Sequence, residues 1–375
     1  MTMRIIYVAG SPVPSKAANS VHVMKMSHAL ADLEHQVTLC CPKATDSDLS
    51  KQEVYDLYGV KPNFEFNPHT PFSSRIGLIL YAMKNAALAK REKADFVFSR
   101  CLFTAWFCSI FGIKTLFERH DAWENNPTAA KIFKRLMASK NCLGLVVISK
   151  ALEDQITSKF GIERNRMIIA ADAADPLPET SAPPPFEKVK GKINVGYVGH
   201  LYKGRGIDII ADAAKQLPGM EFHIVGGTDE DLTYWRHELK SHENIHFYGH
   251  MSHNAASRYL QHFDVLLAPY QKKVSVAGGG NTVQWMSPLK IFEYMSTGKP
   301  MISSDLPVLH EVLKPDKNAY LCIADDVDDW VSVLQSIQKN PTKAAQIGAT
   351  AKEDFLQNYT WLRRSEKIIE ELPLK

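Results

Sequence analysis

Two series of short β-branched runs alternating with helical patterns, separated by a proline-rich stretch, restrict this chain to a narrow set of folds. Strands that alternate with helices build parallel sheets with helices on both faces, because each crossover needs a helix to return. The first series opens with a strand at Arg4-Ile5-Ile6-Tyr7-Val8-Ala9, ending in Gly10-Ser11-Pro12. A helix is predicted from about Ser20, with Val23, Met26, Leu30 and Leu33 on one face. Gln36 to Cys41 reads as the second strand, stopped by Pro42, and runs at 96–98, 114–117 and 143–148 continue the series. Asp175 to Pro185 then carries five prolines and no periodicity, which is the composition of a linker. Beyond it the pattern restarts with a strand at Ile193 to Gly199 and a helix from about Ile207. Further strands are predicted at 221–225, 245–248, 264–268, 300–303 and 320–322. The expected fold class is α/β, with two Rossmann-like doubly wound domains. In such sheets ligands bind beyond the carboxyl ends of the strands, here in the cleft expected between the halves.

Length and charge fit that division. A chain of 375 residues exceeds one ordinary core. A net charge of +3 makes no case for a nucleic-acid partner. The six cysteines show no metal-ligand spacing and mostly sit in apolar runs, as reduced core residues of a cytoplasmic protein would. No signal peptide is expected, and the longest uncharged stretch, Cys101 to Ile113, is too short to cross a bilayer and reads as a buried helix.

Sites for several chemistries are missing from the sequence: it contains no HExxH, GxSxG or GxxxxGK[ST], and the Gly10 loop is not GxGxxG. The acidic runs at 229–231 and 325–329 read as solvated surface. The richest segment is Ser287 to Asp305, where Ser287-Pro288 is a good helix start. Lys290 and Glu293 lie three apart on neighbouring positions of one helical face. A lysine in the first helical turn, beside free backbone N–H groups, suits a diphosphate. A glutamate one turn on suits two ribose hydroxyls. Alone, the pair would read more simply as an exposed ion pair worth little. A second segment supports it: Val198 to Gly206 is a glycine-rich strand-to-helix turn carrying Lys203 and Arg205.

These two segments, in this order, resemble the family 4 glycosyltransferases of the GT-B fold. Val198-Gly199-His200-Leu201-Tyr202-Lys203-Gly204-Arg205-Gly206 corresponds to the family's GxLxxxKG loop, with Arg205 in the lysine place. Lys290 to Asp305 corresponds to the helix and GxPVI strand that follow. The resemblance continues at Ala18 to Val23, at Phe117-Glu118-Arg119-His120-Asp121, whose family histidine lies at the transferred sugar, and at 147–152 and 171–175. Tyr359-Thr360-Trp361 resembles the start of a last helix that returns to the N-terminal domain. The implied domains are 1–175 on the acceptor side, a linker at 176–191, a nucleotide-sugar-binding domain at 192–355, and a returning segment at 356–375. One departure is that Trp285 stands where the family has the first glutamate of its pair. The preceding loop, Ala277 to Thr282, offers N–H groups and Asn281 as substitutes.

The implied activity is retaining transfer of a hexosyl-type sugar from a nucleoside diphosphate donor, UDP-linked ahead of GDP-linked. The acceptor is a glycan, a lipid-linked molecule or a small molecule. Candidate catalytic residues are His120, Arg205, Lys290 and Glu293; Gly10, Gly199 and Ile291 join Arg205, Lys290 and Glu293 around the donor. No cofactor or metal is expected, because protein cations stand where a metal would. A histidine after a strand is more often structural, and Asp121 also reads as a cap for the next helix. Rival readings are a GT-B-type sugar-nucleotide 2-epimerase and a degenerate nucleotide-sugar-binding module. Basic clusters at Lys84, Lys90, Arg91 and Lys93, and at Lys131, Lys134, Arg135 and Lys140, fit a surface that meets anionic lipid at the inner face of a membrane. They fit a solvated helix with a buried face at least as simply.

Overall fold

The computed structural model describes residues 2–373 except 16, 46, 71–73, 122–125, 179 and 275–281. Within these the chain forms two compact units, residues 1–172 with 361–375, and residues 173–360. The first unit holds the strands β1 (Arg4–Val8), β2 (Gln36–Pro42), β3 (Glu65–His69), β4 (Phe96–Ser99), β5 (Thr115–Arg119), β6 (Cys142–Val147) and β7 (Met167–Ile169). They lie in the order β3-β2-β1-β4-β5-β6-β7, all parallel. The second unit holds β8 (Ile193–Val198), β9 (Met220–Val225), β10 (Ile245–Gly249), β11 (Val265–Ala268), β12 (Met301–Ser304) and β13 (Tyr320–Cys322). Their order is β10-β9-β8-β11-β12-β13, again parallel. In each sheet the order reverses beside the first strand, between β1 and β4 and between β8 and β11. Those two reversals are the crevices where doubly wound sheets take ligands.

Central strands are buried on both faces, and their unbroken apolar runs made them legible: Ile5, Ile6, Tyr7 and Val8 have no exposed surface. The sequence reading omitted β3 and β7, the two edge strands. Pro68 lies inside β3, where an edge strand tolerates a residue that cannot donate to the ladder. β7 has only three residues. Pro42 does not stop β2 beforehand but is its last residue, paired with His69. All six cysteines are buried and free.

The proline-rich stretch is not a bare spacer. Phe186 stacks on Phe263 and Tyr259, with its ring centroid 4.2 Å from that of His223. Residues 173–191 therefore belong to the second unit, and the chain passes back to the first unit at Trp361 rather than at 356. Both acidic runs open helices: Thr228 and Asp326 cap them, and the carboxylates occupy the first turns, where they favour the helix dipole.

His223 in this aromatic layer is buried, with Nδ1 against the Tyr248 hydroxyl at 2.8 Å and Nε2 against Asn194 Oδ1 at 3.2 Å. Burial and the neighbouring His246 lower its pKa from 6.5 to about 4. Between those values the unfolded chain binds the proton and the folded one does not, so stability falls as pH drops through that window. Above 6.5 the group contributes no pH dependence. The expected result is a urea midpoint lower at pH 5 than at pH 7.5; a midpoint that rises on acidification contradicts it.

Candidate active site

In the second unit the glycine loop after β8 and the Leu289–Thr297 helix meet at the sheet's reversal. Pro288, which has no side chain able to cap, is the N-cap of this helix, with Ser287 one residue ahead of it. Lys290 is buried at 8 % exposure, contrary to the exposed ion pair that the sequence alone favours. Its Nζ lies 3.8 Å from the centre of the Tyr197 ring and 5.4 Å from that of Tyr270. Arg205 adjoins the same aromatic pocket, its guanidinium carbon 5.4 Å from the Tyr270 centroid. Its buried Nε has no hydrogen-bond partner among the described residues. Burial first, and then the Arg205 charge, pull the Lys290 pKa well below its ordinary value, with Glu293 opposing. A buried lysine and a half-buried arginine thus act on each other across this pocket.

Glycine is required where the loop passes this pocket. A Cβ on Gly199 would sit 2.6 Å from Lys290 Nζ, and one on Gly206, whose φ is 78°, would sit 1.9 Å from the Pro269 carbonyl oxygen. Glu293 is half-buried and meets His253 Nε2 at 3.0 Å, a partner that sequence reading missed. Ile291, by contrast, is core: its side chain is 1 % exposed and its N–H donates to the Pro288 carbonyl. Trp285 is likewise buried, and Ala277 to Asn281 of the neighbouring loop lie outside the described residues.

His120 and Gly10 belong to the first unit, at the carboxyl ends of β5 and β1. A Cβ on Gly10 would meet Cys101 at 3.6 Å and the Arg100 carbonyl oxygen at 4.0 Å, ordinary contacts, so the fold itself does not demand glycine there. His120 Nε2 lies 2.7 Å from Glu118 Oε1. The same oxygen accepts from Arg364 Nη2 at 2.7 Å. His22 completes the cluster, Nδ1 against Asp172 Oδ1 at 2.9 Å and Nε2 within 3.1 Å of Glu118 Oε1 without hydrogen-bond alignment. Burial would raise the Glu118 and Asp172 carboxyls. Arg364 and the two imidazoles outweigh it, holding Glu118 well below the carboxylate range and Asp172 at about 2. Burial and Arg100 lower His120 to about 4 despite both carboxylates. Ligand atoms of His22, His120 and Asp172 lie within 4.8 Å of one another; Asp172 Oδ1 faces His22 Nδ1, and Glu118 Oε1 takes both His120 Nε2 and Arg364 Nη2, so the set is part of a hydrogen-bonded network. Asp121 pairs with Arg119, and Asn126, not Asp121, caps the next described helix, Pro127–Met137.

Known proteins agree with this architecture. Residues 179–354 match the family described as Glycosyl transferases group 1, and residues 20–175 match Glycosyltransferase Family 4. A poly(ribitol-phosphate) alpha-N-acetylglucosaminyltransferase of Staphylococcus aureus is 22% identical over 67% of this chain, and the match spans only 47% of that relative. Among solved structures, a glycosyltransferase from Rickettsia africae superposes with a TM-score of 0.75 at 13% identity, covering 98% of this chain and 97% of the other. Anabaena HepE, solved in complex with UDP and glucose, gives 0.70 at 14% identity, covering 98% of both. At such identities the superpositions speak for the GT-B fold alone. With two family matches that together run from residue 20 to residue 354, the chain belongs to the group 1, family 4 glycosyltransferases of the GT-B class.

Proposed function

We propose that this protein transfers a hexosyl-type sugar, with retention of configuration, from a nucleoside diphosphate donor to a glycan, lipid-linked or small-molecule acceptor. The observation that carries the proposal is the buried Lys290 beside Arg205 at the switch point of the second sheet. The buried lysine and the half-buried arginine repel each other, which favours an anion between them, and a leaving diphosphate gains negative charge in the transition state. Glu293 takes the ribose hydroxyls in exchange for His253. UDP is the favoured carrier, supported by the UDP and glucose bound to the similarly folded Anabaena protein. Retention is supported by His120: a ring whose pKa is about 4 is a weak base, poorly suited to deprotonate an acceptor for inversion. The departing phosphate then takes the acceptor proton on its own face.

The test is incubation with nucleotide sugars, with and without candidate acceptors, in excess EDTA. Proton NMR of an acceptor-dependent product from an α-linked donor should show an α-glycoside. A β-glycoside refutes retention, a new nucleotide sugar without acceptor indicates an epimerase, and dependence on added metal removes the role given to the two cations.

Peripheral contact with an anionic membrane belongs to the same proposal. No helix among the described residues is long and apolar enough to cross a membrane. The Arg75–Arg91 helix nevertheless exposes Ile76, Ile79, Leu80 and Met83, between 41 and 71 % each, on one face. It contains no acidic residue, and Lys84, Lys90 and Arg91 are exposed along it. Nearby, Ile110 and Phe111 are about half exposed, so the Cys101–Ile113 stretch is not the fully buried helix predicted from its composition. An apolar face edged with cations suits the interface of an anionic bilayer. The protein should cosediment with phosphatidylglycerol-containing vesicles and release in high salt, and Ile76→Ser with Leu80→Ser should abolish it. Equal binding by that variant removes this helix from the interface.

A further inference from the structure

We infer that Glu118, anchored by Arg364, is a positioning residue that fixes His120 as the Nε2–H tautomer, so that the bare Nδ1 accepts a hydrogen bond from a sugar hydroxyl. The inference rests on the sugar-transfer reading above and goes beyond it by assigning the state of the ring and the residues that set it. Glu118 has no exposed side-chain surface, and as a carboxylate it offers lone pairs only. Its Oε1 lies 2.7 Å from His120 Nε2. A bare nitrogen there would set two lone pairs against each other, so Nε2 carries the proton.

The carboxylate is itself immobilised. Arg364, 2 % exposed, donates from Nη2 to Glu118 Oε1 at 2.7 Å and from Nε to the Ala171 carbonyl at 2.9 Å. Tyr7 stands 3.4 Å from the other carboxylate oxygen. The charged groups facing the ring are then Glu118 and Asp172 on one hand and Arg100 on the other, with His22 edge-on at 5.0 Å. A neutral ring with one nitrogen committed to Glu118 keeps Nδ1 as its only acceptor. That atom has no hydrogen-bond partner among the described residues, and the side chain is 23 % exposed at the carboxyl end of β5. A hydroxyl is the group that donates to such a nitrogen and accepts elsewhere, which is how a sugar ring is gripped.

Long-range ¹H–¹⁵N spectra of the imidazoles in the wild-type protein test the tautomer directly, independent of any activity. His120 is assigned as the resonance lost in His120→Asn. The expected spectrum shows Nε2 protonated and Nδ1 bare, unchanged from about pH 8 down to about pH 5.5, the range where an ordinary histidine titrates. Protonation at Nδ1, or titration near the ordinary histidine value, overturns the inference. The second arm reads kcat/KM. The amide of asparagine, bonded to Cγ, occupies the place of Nδ1, whereas that of glutamine reaches the place of Nε2. His120→Asn should therefore retain at least tenfold more activity than His120→Gln, and the reverse order overturns the assignment of Nδ1 as the contacting atom. Glu118→Gln, which can offer the ring either a donor or an acceptor, should give a mixed tautomer spectrum; a spectrum identical to wild type removes Glu118 from the positioning role. If the tautomer is as expected but no sugar is transferred, the functional reading fails and the geometry stands.

Discussion

Lys290→Ala should lower kcat by about 10²- to 10³-fold, the usual cost of removing one preorganised charge-stabilising donor, while leaving the folded protein as stable as before or more so. The two halves of this expectation have one cause. Lys290 is buried beside Arg205 with its pKa pulled down, which means that the folded chain without ligand holds a positive charge there only at a desolvation cost. Alanine relieves that cost and at the same time removes the positive charge that a diphosphate needs. Residues retained for function at the expense of stability behave in this way. Steady-state kinetics and thermal melts on one preparation decide it. A variant that melts far below wild type would make Lys290 structural, and one with near-wild-type kcat would place the diphosphate elsewhere.

Arg364→Ala is expected to have the largest effect on stability, a loss of about 3–5 kcal/mol, because it strands the buried Glu118 carboxylate. The guanidinium joins the final helix, Trp361–Glu370, to the loop after β7 and to β5 of the first sheet. Set against a typical total of about 5–15 kcal/mol, such a loss leaves little margin. Replacing both partners with apolar residues, Glu118→Leu with Arg364→Met, should recover much of it, since the penalty arises from one unpaired charge rather than from the missing pair. Urea unfolding of the three variants measures this. An Arg364→Ala protein within about 1 kcal/mol of wild type would show that water reaches Glu118 and that the network is loosely held.

What could be read from sequence, and what could not, follows from the range of the interactions. Central strands announce themselves through residues that neighbour one another in the chain, as Ile5 to Val8 do. Gly199, Arg205, Lys290 and Glu293 lie in two short segments whose local turn and helix chemistry was visible, and the fold brings them together at one switch point. The Glu118–Arg364 pair spans 246 positions, and His22–Asp172 spans 150. No periodicity encodes such partners; only the topology that sets β5 against the last helix reveals them. The burial of Lys290 was hidden for a similar reason, since Tyr197 and Tyr270 come from strand ends that the sequence does not mark as aromatic walls. Ile291 shows the converse. Lying next to Lys290 in sequence, its side chain faces the core, because one step along a helix turns a side chain through about 100°.

The central claim is that the second unit grips a nucleoside diphosphate through Lys290 and Arg205, and calorimetric titration of wild-type and Lys290→Ala protein with UDP tests it most directly. Wild type should bind UDP, with an affinity that falls as salt is raised because the contact is one of opposite charges. The Lys290→Ala protein should bind at least tenfold more weakly. Equal affinity in the two proteins would contradict the claim.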